Sequence, residues 1–150
     1  MRPRKILPVR FPKTLMLDTG YWYALCDPAD AYRDQVEARA IERHDIILPW
    51  PCLYETLRTR FVRNSAVVGR FRRLTAGPNM TLLDDAPYRD HAFERVLQAA
   101  ARRPMSLVDV VMRAMIEDVN VRVDCFLTFN EKDFFDVCRR RGIPMRYGAS

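Results

Sequence analysis

Long apolar runs are missing from this sequence of 150 residues: nothing approaches the ~20 consecutive apolar residues that a membrane-spanning helix needs. The basic start, with Arg2, Arg4, Lys5, Arg10 and Lys13, has the charge of a secretory leader, but the apolar run at residues 15–17 is cut off by Asp18. A cytoplasmic protein with no membrane contact is the expectation. Cysteine is sparse and scattered. Cys26, Cys52, Cys125 and Cys138 form no C-x-x-C pair, and each sits among apolar neighbours, as the reduced thiols of a core do. His44 and His91 are too few and too far apart to build a zinc site or a catalytic triad, and read as surface or loop residues. Also missing are G-x-x-x-x-G-K-[ST], G-x-G-x-x-G and a nucleophile elbow, so nucleotide-hydrolase, dinucleotide and serine-hydrolase readings have no support.

Lysine is nearly absent as well, occurring only at positions 5, 13 and 132, so the net charge of +6 is carried almost wholly by arginine. The planar guanidinium suits phosphate and stacks on bases, whereas a surface tuned only for solubility mixes in more lysine. A polyanionic partner fits this bias; a genome that favours arginine codons is the alternative.

What is present is a chain of which 49% is hydrophobic, long enough to bury one core without disulfides or structural metal. We expect a basic extension at residues 1–13, one domain over 14–145 and a tail at 146–150. Unalternated apolar runs at 14–18, 46–48 and 125–128, with weaker ones at 81–83 and 143–145, have the pattern of strands buried on both faces. Helical spacing occupies 21–25, 30–43, 51–63, 66–75, 87–102, 106–119 and 132–141, as in Leu53, Leu57 and Phe61, or Phe93, Val96, Leu97 and Ala100. Strands alternating with helices predict an α/β domain, with a mainly parallel sheet of about five strands and helices on both faces.

In such a sheet the functional crevice lies beyond the carboxyl ends of the strands. Asp18 ends the first run and is either the N-cap of a short helix or a metal ligand. Glu55 points away from the Leu53, Leu57 and Phe61 stripe and has Arg58 three residues on as a surface partner. Asp109 aligns with Met112 and Ile116 at the margin of a buried face, and Ser106-x-x-Asp109 also reads as a capping box. Thr128, Asn130 and Asp133 stand where a strand turns into the last helix, a third capping position. Carboxylates gathered at one sheet edge repel unless a cation compensates them, and an oxygen-only site favours Mg2+ or Mn2+, which activates water and neutralises phosphate.

Taken together, Leu17-Asp18-Thr19-Gly20-Tyr21-Trp22, Tyr54-Glu55, Ser106-Leu107-Val108-Asp109 and Leu127-Thr128-Phe129-Asn130-Glu131-Lys132-Asp133-Phe134 resemble the ordered motifs of the PIN-domain family, in particular its VapC-type toxin ribonucleases. The resemblance spans residues 14–145. It implies a metal site formed by Asp18, Glu55, Asp109 and Asn130, with Asp133 as a nearby extra carboxylate, and Thr19 and Thr128 orienting ligands or water. It further implies metal-dependent RNA hydrolysis leaving a 5′-phosphate and 3′-hydroxyl, a small antitoxin lying over the acidic site, and a homodimer. Two departures stand out: Asn130 replaces an aspartate found in many members, and Asp30-Ala31-Tyr32 occupies a place where many toxin-like members carry histidine. Arg58, Arg60, Arg63, Arg70, Arg72 and Arg73 read either as a track for an RNA backbone or as the solvated face of two helices. A stand-alone RNA-processing or DNA-repair nuclease of this fold, and a non-catalytic nucleic-acid or protein binding module, are the alternatives.

Overall fold

A computed structural model describes residues 13–36, 38–98 and 104–147, so most of the expected basic extension and most of the tail lie outside the described residues. Four strands, β1 (Thr14–Leu17), β2 (Asp45–Pro49), β3 (Met80–Leu83) and β4 (Cys125–Leu127), form one sheet of order β3-β2-β1-β4, with every pairing parallel. Eight α-helices are described: α1 (Thr19–Cys26), α2 (Ala38–Arg43), α3 (Trp50–Thr56), α4 (Thr59–Val62), α5 (Ser65–Thr75), α6 (Arg89–Gln98), α7 (Leu107–Glu117) and α8 (Glu131–Arg141). The α/β architecture expected from the sequence is the one observed.

Strand residues alternate between two cores. Leu15, Leu17, Ile46, Leu48, Cys125 and Leu127 pack on one face with Tyr21, Trp22, Leu25, Phe61 and Phe71. On the other face, Met16, Ile47 and Phe126 pack with Val111, Met112, Met115, Ile116 and Phe134. Because both faces are covered, the runs show no polar alternation. All four cysteines are free and buried in these cores, as expected.

The expected fifth strand is absent from the described sheet. Residues 143–145 reach it through a single bond, Phe126 N–H to the Pro144 carbonyl at 2.9 Å, and Pro144 has no N–H to return to a ladder. Two of the expected helices are also interrupted. Within 30–43 the chain makes a turn, a short 3-10 segment at Arg33–Gln35, and extended backbone at Val36 before α2. The causes are local: Asp27 and Asp30 accept the N–H groups of Ala29 at 2.9 Å and Tyr32 at 2.8 Å, and such bonds compete with a helix. The 51–63 stretch divides where Arg58 is extended (φ −71°, ψ 165°), separating α3 from α4. Of the amphipathic stripe expected at Phe93, Val96, Leu97 and Ala100, Phe93 and Leu97 are exposed, Val96 packs against the core beside buried Ala92, and Ala100 lies outside the described residues.

Topology places the site. From β1 the chain moves outward to β2 and β3, then returns to the other side of β1 as β4. The order of connection therefore reverses between β1 and β4, the position where α/β sheets open a crevice at their carboxyl ends. Asp18 N–H donates to the Leu127 carbonyl at 2.9 Å, so the residues just beyond both strands are held side by side at that crevice.

Candidate active site

Asp18, Glu55 and Asp109, which arrive from the end of β1, from α3 and from the first turn of α7, line one open groove of about 410 Å³ together with Thr19, Ser106 and Asn130. Asp18 is both a cap and part of the groove: its Oδ1 accepts the Thr19 N–H at 2.8 Å and its Oδ2 accepts the Thr128 hydroxyl at 2.8 Å. Burial pushes its carboxyl up despite those two bonds, and the charges of Asp109 and Glu55 push in the same direction. Glu55 is half-buried and accepts the Thr19 hydroxyl at 2.9 Å through Oε2. Arg58 bonds the Glu55 carbonyl at 3.0 Å instead of its carboxylate.

Asp109 lines the groove from the capped first turn of α7. Ser106 caps α7 by accepting the Asp109 N–H at 3.1 Å. Burial raises the Asp109 carboxyl, with the Ser106 hydroxyl opposing and the Asp133 charge adding to the effect. Asn130 stands at the N-cap of α8 without capping it; its side chain donates to Asp133 Oδ2 at 2.5 Å, while its N–H donates to the Thr128 hydroxyl oxygen at 3.0 Å. Asp133 is thus fastened by Asn130 and does not line the groove wall with the other three acids.

An aspartate at position 130 would set two carboxylates against each other where one donor–acceptor bond now stands. Asn130→Asp is expected to destabilise the protein in chelator by roughly 1 kcal/mol, the equivalent of about one pKa unit of repulsion. Thermal melts with and without Mg2+ check it, the deficit shrinking when the cation is added.

The six arginines are dispersed. Arg70 bonds the Cys26 carbonyl at the end of α1 at 2.8 Å. Arg58 and Arg60 border one surface groove with Asp27 and Asn64, and Arg70 and Arg73 border another with Glu42 and Leu74; Arg63 and Arg72 are exposed. None of the six lines the acidic groove. His91 is an exposed residue of α6. His44 accepts the Lys13 N–H at 3.0 Å and meets the Tyr147 hydroxyl at 3.0 Å.

Arg113 was not singled out from the sequence. One turn beyond Asp109 on α7, it is buried, donates bidentately to Asp136 at 2.6 Å, and donates to the Asp133 carbonyl at 2.6 Å. The available signal was a lone cation inside the apolar run Val110 to Ile116, a position that calls for a buried anion or carbonyl. Its guanidinium ties α8 to α7 and thereby fixes where Asp133 stands relative to Asp109.

Among the described residues, no three His, Cys, Asp or Glu side chains lie close enough together to chelate one ion directly. That spacing does not suit a closed cage of protein ligands. It does suit magnesium, which keeps several waters and takes only one or two carboxylates, and the half-buried carboxyls of Asp18 and Asp109, each raised by desolvation and by a neighbouring carboxylate, are a donor set that a hard cation would relieve.

No family model matches the chain, and no curated protein matches its sequence. Among solved structures it is similar to the Mycobacterium tuberculosis toxin VapC20, a sarcin-ricin loop cleaving toxin, with a TM-score of 0.63 at 19% identity over 81% of this chain and 94% of that one. The fold is PIN-like. At this identity the likeness concerns the fold alone.

Proposed function

We propose that this protein is a divalent-metal-dependent endoribonuclease, the toxin of a toxin–antitoxin pair. The observation that carries the reading is the groove at the switch point of the sheet, where Asp18, Glu55 and Asp109 face one another. The PIN-like fold shared with a sarcin-ricin loop cleaving toxin supports the substrate class, as does the arginine-borne charge of +6.

Asp18 and Asp109 would hold Mg2+ or Mn2+, with Glu55 positioning water. The cation, when bound, supplies Lewis-acid polarisation of a phosphate oxygen and lowers the pKa of water. The chain's own part is positional. Thr128 fixes one oxygen of Asp18, leaving its other oxygen, already bonded to the Thr19 N–H, a defined direction. Thr19 sets the Glu55 carboxylate by its hydroxyl, so that Glu55 can accept a proton from a water attacking in line with the departing 3′-oxygen. Hydrolysis in that sense leaves a 5′-phosphate and a 3′-hydroxyl. A small antitoxin would act by covering this groove, and a second copy of the chain would complete a homodimer.

The test is incubation of total cellular RNA with the purified protein in magnesium, manganese or chelator, with the new ends mapped. Metal-dependent internal cuts carrying 5′-phosphates are the expected result. Cleavage that persists unchanged in chelator, or none in either metal, would overturn the reading.

A further inference from the structure

Beside the acidic groove stands a stack of three aromatic rings. Phe129 stacks on Tyr21 with ring centroids 5.5 Å apart at 17°, and on Tyr32 with centroids 4.3 Å apart at 12°. Tyr21 is buried, whereas Tyr32 is 45% exposed. An exposed ring this well aligned needs a rigid support, and the turn that carries it is fastened at several points. Asp30 accepts the Tyr32 N–H at 2.8 Å, and the adjoining Arg33 drives its guanidinium into the last carbonyls of α1, 3.1 Å from that of Ala24 and 2.5 Å from that of Leu25. The helix interrupted within 30–43 is the consequence of these bonds, and Tyr32 is what the interruption presents.

Tyr32, Phe129 and Asn130 line both the acidic groove and a larger adjoining cavity of about 640 Å³. Gln35, Glu131, Lys132 and Arg146 also line that cavity, with Arg146 donating to Glu131 Oε1 at 2.7 Å. Tyr32 thus stands on the boundary between the carboxylates and this cavity. A flat aromatic face, polar groups capable of hydrogen bonding and cationic side chains are the parts that bind unpaired nucleotides, by stacking on the base and attraction to the phosphate.

We propose that Tyr32 is a stacking platform for one unpaired base of the RNA strand, beside the acidic groove. The proposal rests on the ribonuclease reading above and adds to it a choice of substrate form. Bases inside a duplex have their faces covered, so the platform selects single-stranded or looped RNA. Stacking is tolerant of base identity, so the site discriminates strandedness more sharply than sequence.

The test is fluorescence anisotropy with labelled single-stranded oligoadenylate, in chelator so that nothing is cut. Tyr32→Ala is expected to bind about tenfold more weakly, which corresponds to ~1.4 kcal/mol and lies within the range of one base stack. Tyr32→Leu should lose as much, because it keeps apolar contact with Phe129 but has no aromatic face; Tyr32→Phe should rescue the affinity. Moving a single abasic nucleotide along the strand should find one position that costs the parent about tenfold and costs Tyr32→Ala nothing further. Equal affinities for the parent and the Ala and Leu variants, or an abasic penalty that persists in Tyr32→Ala, overturns the platform. If the parent still cuts total RNA in magnesium, that outcome sinks the platform alone; if it neither binds nor cuts RNA, the ribonuclease reading goes with it. Weakened binding of a duplex by the same factor would also count against the proposal.

Discussion

Asp18→Asn and Asp109→Asn are each expected to lower metal-dependent RNA cleavage by about two to four orders of magnitude, since a cation's stabilisation of transition-state charge is worth several kcal/mol and each ~1.36 kcal/mol is tenfold in rate. The metal-free variants should nevertheless be no less heat-stable than the parent, and at neutral pH more so. Burial raises both carboxyls above the ordinary aspartate range in the folded protein. A folded state with the higher pKa binds more protons than the unfolded chain, so stability is lost as pH rises through that range. In Asp18→Asn the amide oxygen keeps the Thr19 N–H while the amide nitrogen donates to the Thr128 hydroxyl oxygen instead of accepting from it; in Asp109→Asn the amide oxygen keeps the Ser106 hydroxyl, and neither variant carries the charge. Two measurements check this, a cleavage rate and a thermal melt across pH, and they should move in opposite directions. Magnesium should raise the melting temperature of the parent and do little for either variant. If both variants lost activity because they unfolded, these carboxylates would be structural and the catalytic assignment would fall.

The strands were readable because burial on both faces leaves an unalternated apolar run, as at Leu15, Met16 and Leu17, which point alternately into the two cores. Asp18 was readable for the same reason: a carboxylate that follows such a run directly is delivered to the sheet's carboxyl edge. The interruptions were harder to see, because side-chain bonds from Asp27, Asp30 and Arg33 outweigh a helical apolar spacing that is otherwise intact. Pro144 defeats the fifth strand although the residues around it are apolar. The arginines show the limit most clearly, since periodicity places a residue around its own helix but says nothing of how α3, α4 and α5 turn relative to one another. Likewise, no spacing rule shows that the Asn130 amide is taken by Asp133, which is a matter of where α8 begins.

Asp136→Ala should be the most damaging single change to stability outside the two cores, costing about 2–3 kcal/mol. Removing one partner of a buried ion pair costs about 3–5 kcal/mol, and the lower figure applies because only one side of this pair is buried: the side chain of Arg113 is 8% exposed and that of Asp136 is 51% exposed. The loss arises mainly from the stranded guanidinium, which would retain the Asp133 carbonyl at 2.6 Å but no anion. Arg113→Met in the same background should therefore recover part of the stability, because an apolar side chain of similar length leaves no unpaired charge in the interior. By contrast, Glu117→Ala, which breaks a more exposed pair with Arg140, should cost less than about 1 kcal/mol. The pH dependence has a definite sign. Its hydrogen bonds with Arg113 hold the Asp136 carboxyl well below the usual range, so the contribution is present above the ordinary aspartate pKa and disappears as pH falls through the lower, folded value. Urea denaturation of the parent and Asp136→Ala should converge in strongly acidic solution; curves that stay equally far apart there would show that the carboxylate's charge is not what holds α8 against α7. Convergence instead means that a single ionic tie sets both the stability of the helix pair and, because the same guanidinium bonds the Asp133 carbonyl, the distance between Asp133 and Asp109.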